Sequence, residues 1–185
     1  WTASGSYTAS SAYFALHNGA TQLNGADRIW KTWAPLRVKF FLWLAVKHRH
    51  WTADRRLRHG LTADPTCRLC DQENESSDHI IFRCSYSLQV WWVFLAPLYF
   101  QDITPQAMES LQDWWARLRS FLPPTKRKGF DTLFSLIAWE LWKERNARVF
   151  RNAAAPVPQL VQTIRHFGEQ WVLAGAKKLG CLFSE

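Results

Sequence analysis

Cysteine is scarce in this 185-residue sequence, and its four copies are unevenly placed. Three fall within CRLCDQENESSDHIIFRC, residues 67 to 84, and the fourth, Cys181, lies far away. That usage argues against a disulfide framework. It predicts metal-binding thiolates in a reducing intracellular compartment, nucleus or cytoplasm. Long apolar runs are missing too. The richest, FFLWLAV at 40 to 46, is bounded by Lys39 and Lys47 and is too short to span a bilayer, so no membrane partner is expected. The opening WTASGSYTAS has no basic start and no apolar stretch, so no signal peptide is expected. No tyrosine or phenylalanine precedes a paired-aspartate metal motif, and no spaced carboxylates suit a two-metal nuclease. The expectation is therefore no enzyme and no small-molecule substrate. Acidic residues are the minority charge, 15 against 23 basic ones, and the net charge of +8 favours an anionic partner.

Apolar residues make up 48% of the chain and tryptophan occurs twelve times, enough for a substantial aromatic core. The patterning predicts a mainly α fold, with one possible short strand over WTASGSYT. Helices are expected over 10 to 19, over 26 to 33 ending ahead of Pro35, and over 36 to 49 with Phe40, Phe41, Leu44 and Ala45 at helical spacing. Thr52 is a cap candidate for ADRRLRH and Gly60 a stop. Residues 87 to 98 place Leu88, Trp91, Trp92 and Leu95 on one side. A helix over 104 to 124 would be capped by Thr104, with Pro105 at its first position and Pro123–Pro124 as its stop. Another over 129 to 150 carries Leu133, Ile137 and Leu141 beside Phe134, Ala138 and Trp142. The last should start near Pro158 and run toward Lys177, with Leu160, Ile164, Phe167 and Trp171 inward. The division expected is a zinc-bearing unit over residues 1–100 and a tryptophan-rich helical extension over 101–185.

The cluster reads Cys67-x2-Cys70-x8-His79-x4-Cys84. Two thiolates separated by two residues can grip one ion from a tight turn, and a histidine with a third cysteine completes a tetrahedron. That is the closed arrangement of structural Zn²⁺, one ion, in a loop-helix segment. Ser77 is positioned to cap the helix that presents His79. His79 and Cys84 are five residues apart, so one ideal α-helix would not aim both at one point, and the helix should break or tighten around Arg83 and Cys84. Glu73 and Glu75 can be imagined as bases of a catalytic centre, but a solvated polar loop accounts for them better. Arg68 and Arg83 flank the ligands. They either offset the net negative charge of a zinc held by three thiolates or face a phosphate.

Residues 28 to 59 hold nine lysines and arginines against one acidic residue, Asp54. Such a stretch suits a phosphate backbone, with salt-sensitive affinity. The candidate nucleic-acid contacts are Lys47, Arg49, Trp51, Arg55, Arg56 and Arg58, with Arg68 and Arg83. His48, His50 and His59 can add donors. Trp51 is the one tryptophan read as a stacking platform; Trp33 and Trp43, and the tryptophans at 91, 92, 114, 115, 139, 142 and 171, are assigned to the core. The competing account of the basic residues is a solvated face or pairing with acidic groups. Lys143, Glu144 and Arg148 are expected to make only helix-surface pairs.

These features together resemble one known family, the zinc-binding domain that follows the reverse transcriptase in plant LINE-type retrotransposons. WTASGSYTASSAY, IWKTWAPLRVKFFLWLAVKHRHWTADRRLRHGL and the cysteine segment each resemble the family's successive motifs. LIAWELWKERNARVF resembles the tryptophan-rich helix that commonly follows. Leu36 and Arg37 depart from a proline and lysine often found there. The resemblance implies that Cys67, Cys70, His79 and Cys84 are the zinc ligands. It implies an accessory role, holding RNA template or target DNA near a polymerase during reverse transcription. The x8 loop is longer than that of retroviral zinc knuckles, so their base-stacking mode is not carried over. The alternative is a protein–protein interaction module, a retroelement-derived domain fused to a host protein, docking through its helical half.

Overall fold

Helices account for nearly all regular structure in the computed structural model of the chain, which describes Thr8, Ser11 and residues 26–61, 64–100 and 102–182. The strand expected over the first residues and the helix expected over 10 to 19 lie outside the described residues. Among those described, β pairing is confined to one isolated antiparallel bridge, Thr66 with Asn74. The fold is mainly α, as expected.

Helix α1 (Ala26–Lys31) stops short of Pro35, and α2 (Leu36–Val46) begins just after it. The Pro35 carbonyl accepts from the N–H groups of Val38 and Lys39, which starts the helix. Its buried face is Val38, Phe41, Leu42, Ala45 and Val46. The expected face was wrong at Phe40, which is half exposed. The run LRVKFFLWLAV is apolar almost all round, so periodicity alone does not choose the inner side. Phe41 is chosen by its neighbours, the rings of His50, Trp139 and Trp142. Helix α3 (Ala53–Arg58) ends as Gly60 enters the left-handed region at φ +74°.

A π-helical turn (His79–Arg83) leads into α4 (Ser85–Leu95) and a 3₁₀ turn (Ala96–Leu98). Helix α5 (Leu111–Ser120) is capped by Ser110, whose hydroxyl accepts from the Asp113 N–H at 3.2 Å. Thr104 does not cap it: its own N–H bonds the Asp102 carboxylate, and residues 104–109 form an irregular turn. Helix α6 (Pro124–Arg151) starts five residues earlier than expected, because Pro123 and Pro124 end α5 and also open α6. Gly129 lies inside α6. A Cβ there would come within 2.1 Å of the Lys178 carbonyl oxygen, so only glycine lets helix α8 (Lys177–Gly180) approach. Helix α7 (Val157–Leu173) buries Leu160 and Ile164 and packs Phe167 and Trp171 against the core, on the expected face.

Helix α6 is about 42 Å long at 1.5 Å per residue. It packs against α2, α5, α7, α8 and the π turn. The core around it is aromatic and continuous from Ile29 to Leu182. Trp115 stacks on Phe134 at 4.4 Å, and Trp91 and Trp114 meet edge to face at 5.1 Å. Each buried indole N–H has a partner: Ile81 O for Trp91, Ile103 O for Trp114 and the Asp131 carboxylate for Trp115. Two tryptophans assigned to the core are at the surface instead. Trp43 is 37% exposed on α2, and Trp92 is half exposed on α4, whose buried face is led by Val90, Trp91 and Phe94.

His50 is buried too, and is no surface donor. It is sandwiched between Phe41 (4.7 Å) and Trp142 (4.6 Å), with its Nε2–H donating to the Phe41 carbonyl. Burial pushes its pKa down, the hydrogen bond opposes this, and the nearby Arg145 and Arg55 charges add to the fall, leaving it at about 4. In the unfolded chain the ring titrates near 6.5. The unfolded state therefore binds the extra proton first. Stability should be full above pH 6.5 and fall as pH drops toward 4, by on the order of 3 kcal/mol. Denaturation across this range, compared with His50→Gln, checks it: the variant should lack that acid-side slope.

Candidate metal centre and basic surface

The first two cysteines are placed by a closed loop. The Glu75 N–H donates to the Pro65 carbonyl at 2.7 Å and the Cys67 N–H to the Glu73 carbonyl at 2.8 Å, zipping its ends. Inside it, Asp71 adopts a left-handed φ of 54° and returns its N–H to the Cys67 carbonyl. The Leu69 N–H points at the Cys67 sulfur at 3.4 Å, a contact that favours a thiolate there. This turn aims Cys67 and Cys70 the same way.

His79 and Cys84 come from the π turn. In an α-helix, five residues overshoot a full turn by about 140°. Here the backbone widens: the Cys84 N–H donates to the His79 carbonyl at 2.8 Å, an i→i+5 bond, which brings the two residues back to one side. The helix was expected to break or tighten. It widens, then breaks at Cys84, where ψ is 135°. Its first turn is capped by Ser76, not Ser77. The Ser76 hydroxyl accepts from the His79 N–H, while the Ser77 hydroxyl is buried without a partner among the described residues.

The four donor atoms lie within 4.8 Å of one another. Cys67 and Cys84 sulfurs are 4.0 Å apart, and the Cys70 sulfur is 3.3 Å from His79 Nε2. Tetrahedral zinc with S and N ligands has donor–donor edges of about 3.5–3.8 Å. Three thiols and one imidazole nitrogen on this scale fit one zinc ion. The protonation chemistry agrees. Sharing a hydrogen bond, Cys84 holds the Cys67 thiol well below the ordinary thiol range, while Cys84 itself is pushed up. Burial lowers the His79 pKa, but the adjoining Cys67 and Cys70 sulfurs overcome it and raise the ring to about 9. The cluster thus gathers negative charge that either protons or a cation must neutralise, and a divalent metal displaces the protons. His79 turns its other nitrogen, Nδ1, toward the exposed Glu73 carboxylate at 3.5 Å, the orientation that fixes a ligating imidazole.

Glu75 is not part of a solvated loop. It is buried, and Arg145 of α6 grips it through both carboxylate oxygens. The same carboxylate accepts from the Ala53 N–H at 2.8 Å, capping α3 in place of Thr52. Arg148, expected only at the helix surface, donates to the carbonyls of Arg68 and Leu69, both at 3.1 Å, and so grasps the cysteine turn from behind. It also pairs with Glu144 at 2.8 Å. These clamps carried a signal in the sequence. The row Leu133, Ile137, Leu141 continues at the next step to Arg145, so an arginine occupies a core-facing position.

The basic candidates separate into groups. Lys47, Arg49 and Arg58 are exposed. With His48, Arg55 and His59 they line a recess of about 360 Å³. Trp51 is half exposed at its edge, with the Arg55 guanidinium over its ring at 5.2 Å and His59 edge-on at 5.2 Å. Arg58 pairs with Asp54, and Arg56 is half-buried on the same helix. Arg68 pairs with Asp64 at 2.8 Å. Arg83 lies over Phe82 and donates to the Gln106 and Glu109 carbonyls, holding the turn before α5.

Chelating zinc from the loaded chain should unfold at least residues 52 to 90, because metal binding at such sites contributes about 10–16 kcal/mol and folds with it. Circular dichroism and amide exchange before and after chelation read this; unchanged helicity and melting contradict it. Arg145→Met leaves the Glu75 carboxylate buried and unpaired, and should cost about 3–5 kcal/mol in denaturant unfolding.

Residues 7–91 match the family described as zinc-binding in reverse transcriptase. An Arabidopsis thaliana protein that bears the name of a ribonuclease H protein is 30% identical over 128 residues, 66% of this chain. The chain spans only 19% of that relative's length. No solved structure matches the chain. The matched segment holds all four donors of the cluster, so the candidate zinc site falls wholly within the part of the chain that is similar to zinc-binding domains associated with reverse transcriptase.

Proposed function

We propose that the chain is a non-catalytic module of a retroelement protein that binds nucleic acid, RNA template or target DNA, in support of reverse transcription. Cys67, Cys70, His79 and Cys84 hold one structural zinc within the unit 1–100, and residues 101–185 brace it as a helical extension. Four donors leave no coordination position open for a substrate or water, which supports an architectural ion. The ribonuclease H name of the Arabidopsis relative belongs to a much longer protein, and the reading assigns no such chemistry here. A nuclear or cytoplasmic setting suits the free thiols. No helix among the described residues is long and apolar enough to cross a membrane.

One observation carries the nucleic-acid reading. Every residue lining the recess at 47–59 is a lysine, an arginine or a histidine. Lys47 and Arg49 have no ion-pair partner among the described residues, so their charge is available to phosphate. Arg55, Arg56, Arg58 and Trp51 surround them on the same short segment. Arg83 and Arg68 contribute less, since each already serves a carbonyl or carboxylate of the protein. A second reading, docking of a protein partner, is favoured by an apolar groove of about 460 Å³ bordered by Phe94, Leu136, Ile164 and Val172.

Binding across a salt series tests the proposal. Affinity for RNA or DNA should fall with a log–log slope of about −0.7 to −0.9 per phosphate contacted. Replacing Lys47, Arg49 and Arg58 together by alanine should flatten it by two to three contacts' worth. No binding even at low salt leaves the protein-docking reading.

A further inference from the structure

Helix α2 carries apolar side chains on both sides. Its inner face feeds the core, yet Leu36 is 63%, Phe40 50% and Trp43 37% exposed on the outer side. These three are spaced four and three residues apart, so they form one stripe along the helix. Trp30 of α1, 40% exposed, meets Phe40 edge-on at 5.4 Å. Lys39 donates to the Trp30 carbonyl at 3.0 Å and ties the two helices together at that point. A contiguous exposed apolar patch rimmed by polar residues is the mark of an interaction face.

The stripe runs into the basic recess. Lys47 stands four residues beyond Trp43, closes the helix, and also lines the recess with Arg49. From Phe40 to Lys47 is about 10 Å along the axis. Trp51, 53% exposed, touches the same recess: the Arg55 guanidinium lies over its ring and His59 meets it edge-on, and both residues line the recess. The nearby carboxylates are engaged: Asp27 with Lys31, Asp54 with Arg58, and Asp78 beside His48. Exposed rings interleaved with free cations match the face of a base and the charge of a phosphate.

We propose that this stripe is a stacking track for single-stranded nucleic acid, with bases against Phe40, Trp43 and Trp51 and the backbone along Lys47 and Arg49. The inference rests on the nucleic-acid reading and sharpens its substrate class. Phosphate contacts alone hold a duplex or a single strand, whereas only an unpaired strand can offer base faces to rings.

The test uses the zinc-loaded full chain, a labelled 20-nucleotide oligouridine and a 20-base-pair duplex at low salt. The single strand should bind at least tenfold tighter. Phe40→Ala and Trp43→Ala should each weaken it by roughly tenfold, leaving duplex affinity and the salt slope unchanged. Circular dichroism and melting of each variant, matched to the parent, establish that the loss is one of binding and not of fold. Trp92→Ala removes an equally exposed ring from α4 and should change nothing. Equal affinity for the two probes, or variants that bind the single strand like the parent, overturns the track while leaving the basic recess standing. Absence of binding to either probe overturns both readings.

Discussion

The grip of Arg145 on Glu75 is the contact on which the rest of the architecture turns. Both side chains are almost completely buried, 3% and 2% exposed, and both guanidinium–carboxylate bonds lie away from water. Desolvating two charges is expensive, and a buried pair is worth its cost only when its remaining valences are filled. Here they are. The carboxylate also takes the Ala53 N–H, the guanidinium also donates to Asn146, and Trp142 lies against its face at 5.2 Å. One pair thereby joins three pieces of chain that are separate in sequence: the end of the zinc loop, the start of α3 and the last third of α6.

This pair explains why a zinc loop needs a long helix behind it. The metal can fold its own turn, but the turn and the π segment leave backbone carbonyls facing inward. Arg148 takes two of them, at Arg68 and Leu69, from the same face of α6. Tyr86, at the start of α4, stacks under that guanidinium and donates to the Ala155 carbonyl. Within 142–148, four residues therefore act as clamps: Trp142 on Phe41 and His50, Glu144 on the Ala155 N–H, Arg145 on Glu75 and Arg148 on the cysteine turn. Lys143 belongs with them as well, spanning Glu140 and the Phe167 ring.

Much of this was legible from spacing and little of it from hydrophobicity. The four donors were readable because cysteine is rare and the Cys-x2-Cys interval has few other uses. Their geometry was only half readable. A five-residue interval announces that an α-helix fails, but not whether the backbone tightens or widens. The wider turn prevails because the Cys84 N–H reaches the His79 carbonyl while Ile80, Ile81 and Phe82 all stay buried. Helix α2 defeated periodicity for the opposite reason: with almost every position apolar, only tertiary neighbours decide that Phe41 goes in and Phe40 and Trp43 stay out. Glu75 was misplaced because a glutamate in a polar loop looks solvated until its arginine, seventy residues away, is known.

The zinc and the basic surface are separate in space of action yet not independent. No zinc donor lines the recess at 47–59. Its position nonetheless descends from the same stack. Phe41, His50 and Trp142 lie face over face, and Arg145 closes the column on Trp142 before reaching Glu75. His50 fixes the chain just after Lys47 and Arg49, and Glu75 fixes Ala53 and Asp54 just before Arg55 and Arg58. The basic segment is thus pinned at both ends by groups whose placement depends on the closed zinc loop and on α6. Loss of the metal would release one pin, loss of the α6 clamps the other, and in either case the charges would remain while the surface that arranges them dissolved. On the nucleic-acid reading proposed above, the ion acts through geometry alone, by deciding whether cations and rings share one face.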